Sequence, residues 1–360
     1  MSAQGSSLLG RHAGLWLNDP WYRLAWMVWP QLVSVLCAGW LLIGPQQIRE
    51  ASAPWAKPVD PAALGSQYDA LRDQAETDPS ALDRLRQMAN AGDAIAQFSM
   101  ATLYDPDFKL GKITTPDMNT AIAWYEKAAE NGQIVAEENL GIKYYEGRWV
   151  PADYAKATFW LKKSADQGNR VAERYMGLAN ANGQGVPVNK TYALEWFKRA
   201  ADHGDAIAEA QIGDAYMSGE GFARSPTEAL NWYRKAAAQD NAYAESKVGE
   251  AYLNGTGVER DLDQALGSFQ KAANNGNAVA QFYLGAMYDQ GLGTPADPQQ
   301  AFRWFEMGAE NGNAAAQNAL GLAYAEGRGV ARDTAAARQW LLRAQQNGNA
   351  LAEHNLRMLR

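Results

Sequence analysis

Trp124, Trp160, Trp196, Trp232, Trp304 and Trp340 lie on a grid with a spacing of 36 residues. Only Ser268 breaks the series, and Phe269 stands beside it. Three residues before each grid point is an alanine, from Ala121 to Ala337. Eight residues after it is a glycine, as at Gly132, Gly168 and Gly204, with Asp240 the exception. Seven copies sharing three marker positions form a tandem array. In such an array each unit covers its apolar face only by stacking on its neighbours.

Each copy reads as two helices. Counting from the grid point, apolar residues occupy offsets −3, 0, +1, +4 and +5, as in Ala193, Trp196, Phe197, Ala200 and Ala201. That stripe is one face of an amphipathic helix. Glycine at +8 then stops it, because a left-handed position after a helix favours a residue without Cβ. The second helix turns offsets +12, +16, +17 and +20 inward, such as Ala208, Ile212, Gly213 and Tyr216. Its glycine at +17 recurs six times from Gly141 to Gly321. A mid-helix glycine costs about 1 kcal/mol against alanine. Its repetition therefore predicts close helix–helix approach, with the neighbouring tryptophan expected in the space. Paired glycines such as Gly183 and Gly185, or Gly219 and Gly221, close most copies. They follow helices and no strand, so they read as loops and not as phosphate cradles.

The segments "ALEWFKRAADHGDAIAEAQIGDAYMSGEGF" and "AFRWFEMGAENGNAAAQNALGLAYAEGRGV" carry the pattern nearly intact. It resembles the Sel1-like repeat family, relatives of tetratricopeptide repeats. The resemblance covers about residues 79 to 360. It implies an all-α, right-handed superhelical solenoid of about eight helix–turn–helix repeats with a concave interaction surface. Departures are Asn180 for the tyrosine, Trp149 for the second loop glycine, Ser268 for the tryptophan and Asp240 for the turn glycine. The regular solenoid is expected over 119–360. Residues 65–118 are expected to hold a capping helix and a degenerate first repeat, with Arg84 at the tryptophan position. Its spacing of 40 to Trp124 implies a four-residue insertion in "DPDFKLGKITTP".

The N-terminal region differs. Residues 1–23 form a short tail, and no charged residue occurs from Leu24 to Ile48. An apolar run of about 20 residues suits a bilayer, so one transmembrane helix is expected at 24–44. Trp21, Tyr22, Trp26 and Trp40 suit its interfaces. The apolar run is too long for a cleaved leader. Residues 45–64 are rich in proline and alanine and read as a semi-stiff linker. Arg11 and Arg23 before the span balance Arg49 and Lys57 after it. The sole cysteine, Cys37, leaves the solenoid cysteine-free, which suits an oxidising compartment. The expected location is a single-pass protein of a bacterial inner membrane with a periplasmic solenoid.

Chemistry is sparsely indicated. A net charge of −7 argues against a nucleic-acid partner. "DHGDA" places His203 between Asp202 and Asp205, which in isolation suggests a metal or an acid–base centre. On the grid His203 stands where other copies have Asn131, Gln167 or Asn275, and Asp205 suits a helix N-cap. No metal, cofactor or catalytic residue is therefore expected. Offset +3 is basic (Lys127, Lys163, Arg199, Lys235, Lys271, Arg343) and +13 is glutamate or glutamine. Both ladders complement helix dipoles.

The expected function is that of a membrane-tethered scaffold that binds a protein or peptide. The resemblance implies adaptor roles in envelope assembly, polysaccharide secretion or signalling. Partner contacts are expected at offset +14, which varies between copies: Glu138, Arg174, Ser246, Phe282 and Asn318. A small-molecule substrate is not expected. A cell-wall or β-lactam hydrolase of the same family type is the enzymatic alternative, disfavoured by the cysteine-free solenoid. The remaining alternative is a structural subunit whose membrane helix carries the specificity.

Overall fold

A computed structural model describes residues 61–108 and 114–359. The expected transmembrane helix at 24–44 lies outside the described residues. No described helix is long and apolar enough to cross a membrane. The contacts divide the chain into Met1–Gln67 and Tyr68–Arg360, and the second unit carries the repeats.

Seventeen helices follow one another among the described residues, with no strand. Helix α1 (Pro61–Ala75) precedes α2 (Pro79–Asn90) and α3 (Ala94–Tyr104), the pair holding Arg84. The grid copies follow as α4 (Met118–Glu130) with α5 (Ile134–Glu146), α6 (Tyr154–Asp166) with α7 (Arg170–Asn182), and α8 (Lys190–Asp202) with α9 (Ala206–Ser218). Next come α10 (Pro226–Ala237) with α11 (Ala242–Asn254), and α12 (Leu262–Asn274) with α13 (Ala278–Gln290). The series ends with α14 (Pro298–Glu310), α15 (Ala314–Glu326), α16 (Thr334–Gln346) and α17 (Ala352–Met358).

Local chemistry sets these boundaries. Asp205 accepts from the Ala208 amide at 2.8 Å, and Asn241 does the same for Ala244 at 2.9 Å. The turn before them needs positive φ, which Gly204 adopts at 81°. Asp240 is the one described non-glycine residue there, at φ 58°. The second glycine of each loop pair is needed for a different reason. A Cβ on Gly329 would stand 2.0 Å from the Pro298 carbonyl oxygen, because the loop folds back onto the start of its own first helix.

The occupant of the mid-helix glycine site corrects the sequence reading. A Cβ on Gly177 would lie 2.5 Å from Phe197, and one on Gly213 would lie 2.6 Å from Tyr233. Leu161, Phe269, Phe305 and Leu341 stand in the same relation to Gly141, Gly249, Gly285 and Gly321. The filler is thus the residue at +1 of the next copy, not its tryptophan. Apart from buried Trp196, the grid tryptophans are half-buried at the edge of the core. Except at Trp304, their rings are covered by the cation at +3: Lys235 Nζ lies 3.7 Å from the Trp232 ring centre, and Lys127 lies 4.2 Å from that of Trp124. Such contacts contribute about 0.5–1 kcal/mol at exposed sites.

Two departures noted separately in sequence meet in space. Trp149 Nε1 donates to Asp107 Oδ1 at 2.9 Å, linking the altered loop glycine to the segment of the insertion. Lys143 also binds Asp107, and its Nζ lies 3.0 Å from Asp105 Oδ2. Tyr125 donates to the same Asp105 oxygen at 2.9 Å. Tyr125 is thereby held buried beside a carboxylate, and desolvation followed by the nearby charge raises its pKa.

Candidate functional site

Both charged ladders resolve into contacts between adjacent copies. The +13 side chain is buried in the first six grid copies, at Glu137, Glu173, Glu209, Glu245, Gln281 and Gln317, and exposed at Glu353 in the last. Each buried one meets the polar residue at +7 of the next copy. Gln167 donates to Glu137 at 2.7 Å and Gln239 to Glu209 at 2.8 Å. Asn275 donates to Glu245 at 3.2 Å, and Asn311 to Gln281 at 2.9 Å. His203 belongs to this series: its Nδ1 lies 2.7 Å from Glu173 Oε2. The described residues contain no group of histidine, cysteine and carboxylate side chains able to hold a metal ion.

The +3 cation completes the joint. Arg199 Nη2 lies 3.0 Å from Glu173 Oε1 and donates to the Ala165 carbonyl at 3.0 Å. Only the carbonyl contact has hydrogen-bond geometry, leaving Glu173 Oε1 held by charge alone. Where +13 is glutamine, its own amide makes the carbonyl bond, from Gln281 to Ala273 at 3.2 Å and from Gln317 to Ala309 at 3.1 Å. Met307 replaces the usual cation in the copy that follows Gln281, whereas Arg343 is kept after Gln317. Burial raises the pKa of Glu137, Glu209 and Glu245, opposed by the facing lysines and amides.

The +14 side chains lie at the neighbouring position. Glu138 accepts from Asn169 at 2.7 Å, and Arg174 Nε donates to Asp205 at 3.0 Å. Asn318 accepts from Asn355 at 2.8 Å. Phe282 packs beside Phe305, and Ser246 is buried with no partner for its hydroxyl among the described residues. Those whose polar groups are engaged thus bond to the next copy.

A second stripe on the same helices is exposed. The second helices touch their counterparts in adjacent copies, α5 with α7, α11 with α13 and α13 with α15. Among the described residues no pair of consecutive first helices makes a comparable contact. The second helices therefore crowd on the inner side of the bend. Offset +11 on this face is apolar in every copy: Ile95, Val135, Val171, Ile207, Tyr243, Val279, Ala315 and Leu351. Six of the eight are exposed, between 36% and 64%. Tyr243 reaches Asp214, and Tyr175 at +15 reaches Glu146 at 2.8 Å, so these side chains bridge consecutive second helices. The +11 ladder was legible on the grid but is hidden by reading only the residues that vary. Between the second helices lie neighbouring cavities of about 360 and 340 Å³.

The Sel1 repeat profile matches seven consecutive segments, 94–133, 134–169, 170–205, 206–241, 242–277, 278–313 and 314–349. Its unit begins at the second helix, and its longer first segment includes the insertion. Among solved structures, the chain is similar to a protective antigen present in uropathogenic Escherichia coli strains. The two are 32% identical with a TM-score of 0.66, over 81% of this chain and 62% of that one. The chain therefore spans less than two thirds of that relative. A Sel1 repeat protein from Oxalobacter formigenes is 31% identical with a TM-score of 0.64, over 84% of this chain and 88% of its own. No curated protein matches the chain in sequence. With repeat spacing, helix pairing and glycine sites all accounted for, the chain belongs to the Sel1 repeat family.

Proposed function

We propose that the chain is a scaffold that holds an extended segment of a partner protein against its second helices. The observation that carries this is the apolar ladder at +11, exposed in six of eight copies along the inner face. A contiguous exposed apolar stripe on a soluble array marks an interaction surface. A polyproline-type segment repeats every three residues, rising about 9 Å per turn. Such a segment presents every third side chain to successive copies. Of the variable +14 residues, the part-exposed Glu138, Arg174 and Phe282 flank the ladder and tune which segment fits, while Ser246 and Asn318 are buried.

In this reading residues 24–44 tether the scaffold to a bacterial inner membrane, with the repeats in the periplasm. The setting is envelope assembly, polysaccharide secretion or signalling. The apolar run and its aromatic flanks support the tether. The test is retention of partners from solubilised membranes by the full chain, a chain lacking 79–360, and V135S/I207S/V279S. A specific partner held by the full chain and lost from both variants is expected. Equal retention by the serine variant refutes the ladder, and failure of the full chain to retain any partner refutes the scaffold.

A further inference from the structure

The inner face departs from its own pattern at one place. Offset +18 is uncharged in most copies, as at Ile142, Leu178, Ala286 and Leu322, but is Asp214 and Glu250 in two adjacent ones. The only aromatic residue in the +11 ladder is Tyr243, and Tyr233, like Tyr125, stands where the other copies have leucine or phenylalanine at +1. Asp214, Glu250, Tyr243 and Tyr233, with Lys247 and Asn254, line one cavity of about 340 Å³.

Its polar groups are arranged for a cation. The hydroxyls of Tyr233 and Tyr243 donate to the same oxygen, Asp214 Oδ1, at 2.7 and 2.8 Å. They fix the carboxylate and leave Oδ2 without a protein donor among the described residues. Burial, and then Asp214 itself, raises both tyrosine pKa values, so the phenols remain neutral donors. Lys247 Nζ lies 3.1 and 3.2 Å from the two Glu250 oxygens and balances one of the two negative charges. Lys247 Nζ also lies 5.5 Å from the centre of the Tyr243 ring, and one negative charge stays uncompensated in the cavity.

The adjoining cavity, one copy earlier, shares Asp214 and has one apolar wall of Leu178, Ala181, Leu194 and Phe197, with Asn182, Gln211 and the Lys190–Glu220 ion pair on its polar side. We propose that the 340 Å³ cavity receives an arginine side chain of an extended partner segment, with an apolar side chain of that segment in the adjoining cavity. A guanidinium presents a planar fork that spans Asp214 Oδ2 and Glu250. A compact ammonium matches only one of these contacts at a time. This inference rests on the scaffold reading of the inner face and names the chemistry that the scaffold selects.

The test uses the full chain and labelled proline-rich peptides with leucine and arginine three residues apart, in both orders, read by fluorescence anisotropy. Replacing arginine by isosteric, neutral citrulline is expected to weaken binding about tenfold or more. D214N/E250Q is expected to bind both peptides equally weakly. K247Q, which releases Glu250, is expected to bind the arginine peptide several-fold more tightly, an outcome that misfolding does not produce. Equal binding of arginine and citrulline by the wild-type chain refutes the proposal. So does unchanged discrimination in D214N/E250Q, or no binding of either peptide. If discrimination is absent while the wild-type chain retains its membrane partner, the pocket falls and the scaffold stands. If the partner is absent as well, both fall.

Discussion

Two glycine-to-alanine changes within helices should move stability in opposite directions. Gly249 and Gly267 both lie inside helices, α11 and α12, where alanine is intrinsically favoured by about 1 kcal/mol. A Cβ on Gly267 meets nothing within 4 Å, so G267A should stabilise by about that amount. A Cβ on Gly249 falls 2.8 Å from both Phe269 Cδ1 and Cε1. That is about 0.7 Å inside an optimal carbon contact. Phe269 cannot yield, being fully buried and stacked on Tyr283 with ring centres 4.8 Å apart. Overpacking of this kind costs about 1–3 kcal/mol. Offset by the helix gain, G249A should lose up to about 2 kcal/mol, giving a gap of about 1–3 kcal/mol between the variants. Urea unfolding followed by far-ultraviolet circular dichroism measures it, with slopes compared because arrays depart readily from two-state behaviour. In an F269A background the clash is gone, and G249A should become stabilising. The reasoning is refuted if G249A stabilises as much as G267A, or if it costs the same with and without Phe269.

The joints between copies yield three more tests. Glu209 and Glu245 have pKa values raised above 4.5 chiefly by burial, so the folded chain holds protons that the unfolded chain releases. Their contribution to stability therefore falls as pH rises from 4.5 through the raised folded values. E209Q/E245Q should flatten that slope and be more stable at neutral pH, as urea midpoints across the range will show. R199M leaves buried Glu173 without its counter-charge and should cost about 1–3 kcal/mol. Adding E173Q should recover most of this loss, reproducing the native Gln281 and Met307 pairing, and additivity of the two changes would contradict the joint. D240G removes a side chain from φ 58° and should raise the thermal midpoint. The gain should be below the roughly 1–2 kcal/mol typical of left-handed strain, since aspartate tolerates that region.

Much of the fold can be read from residues that repeat. The 36-residue spacing marks equivalent positions, the alanine–tryptophan stripe marks one helix, and the glycines mark where each helix stops. These are local properties, fixed by backbone sterics and by periodicity within a single copy. What a period cannot supply is the offset between neighbours, which depends on how one copy stacks on the next. Only the tertiary structure put Phe197, not Trp196, against Gly177, and set His203 against Glu173 thirty residues earlier. The same stacking turned two apparent charge ladders into one joint, with Arg199 beside the glutamate of the preceding copy. It also brought Trp149 onto Asp107, and gathered Tyr233, Tyr243 and Asp214 around one cavity. Sequence alone determined the unit and its number, because those follow from covalent order. Stacking decided which side chains meet and which stay open to a partner, because that is settled by packing between surfaces distant along the chain.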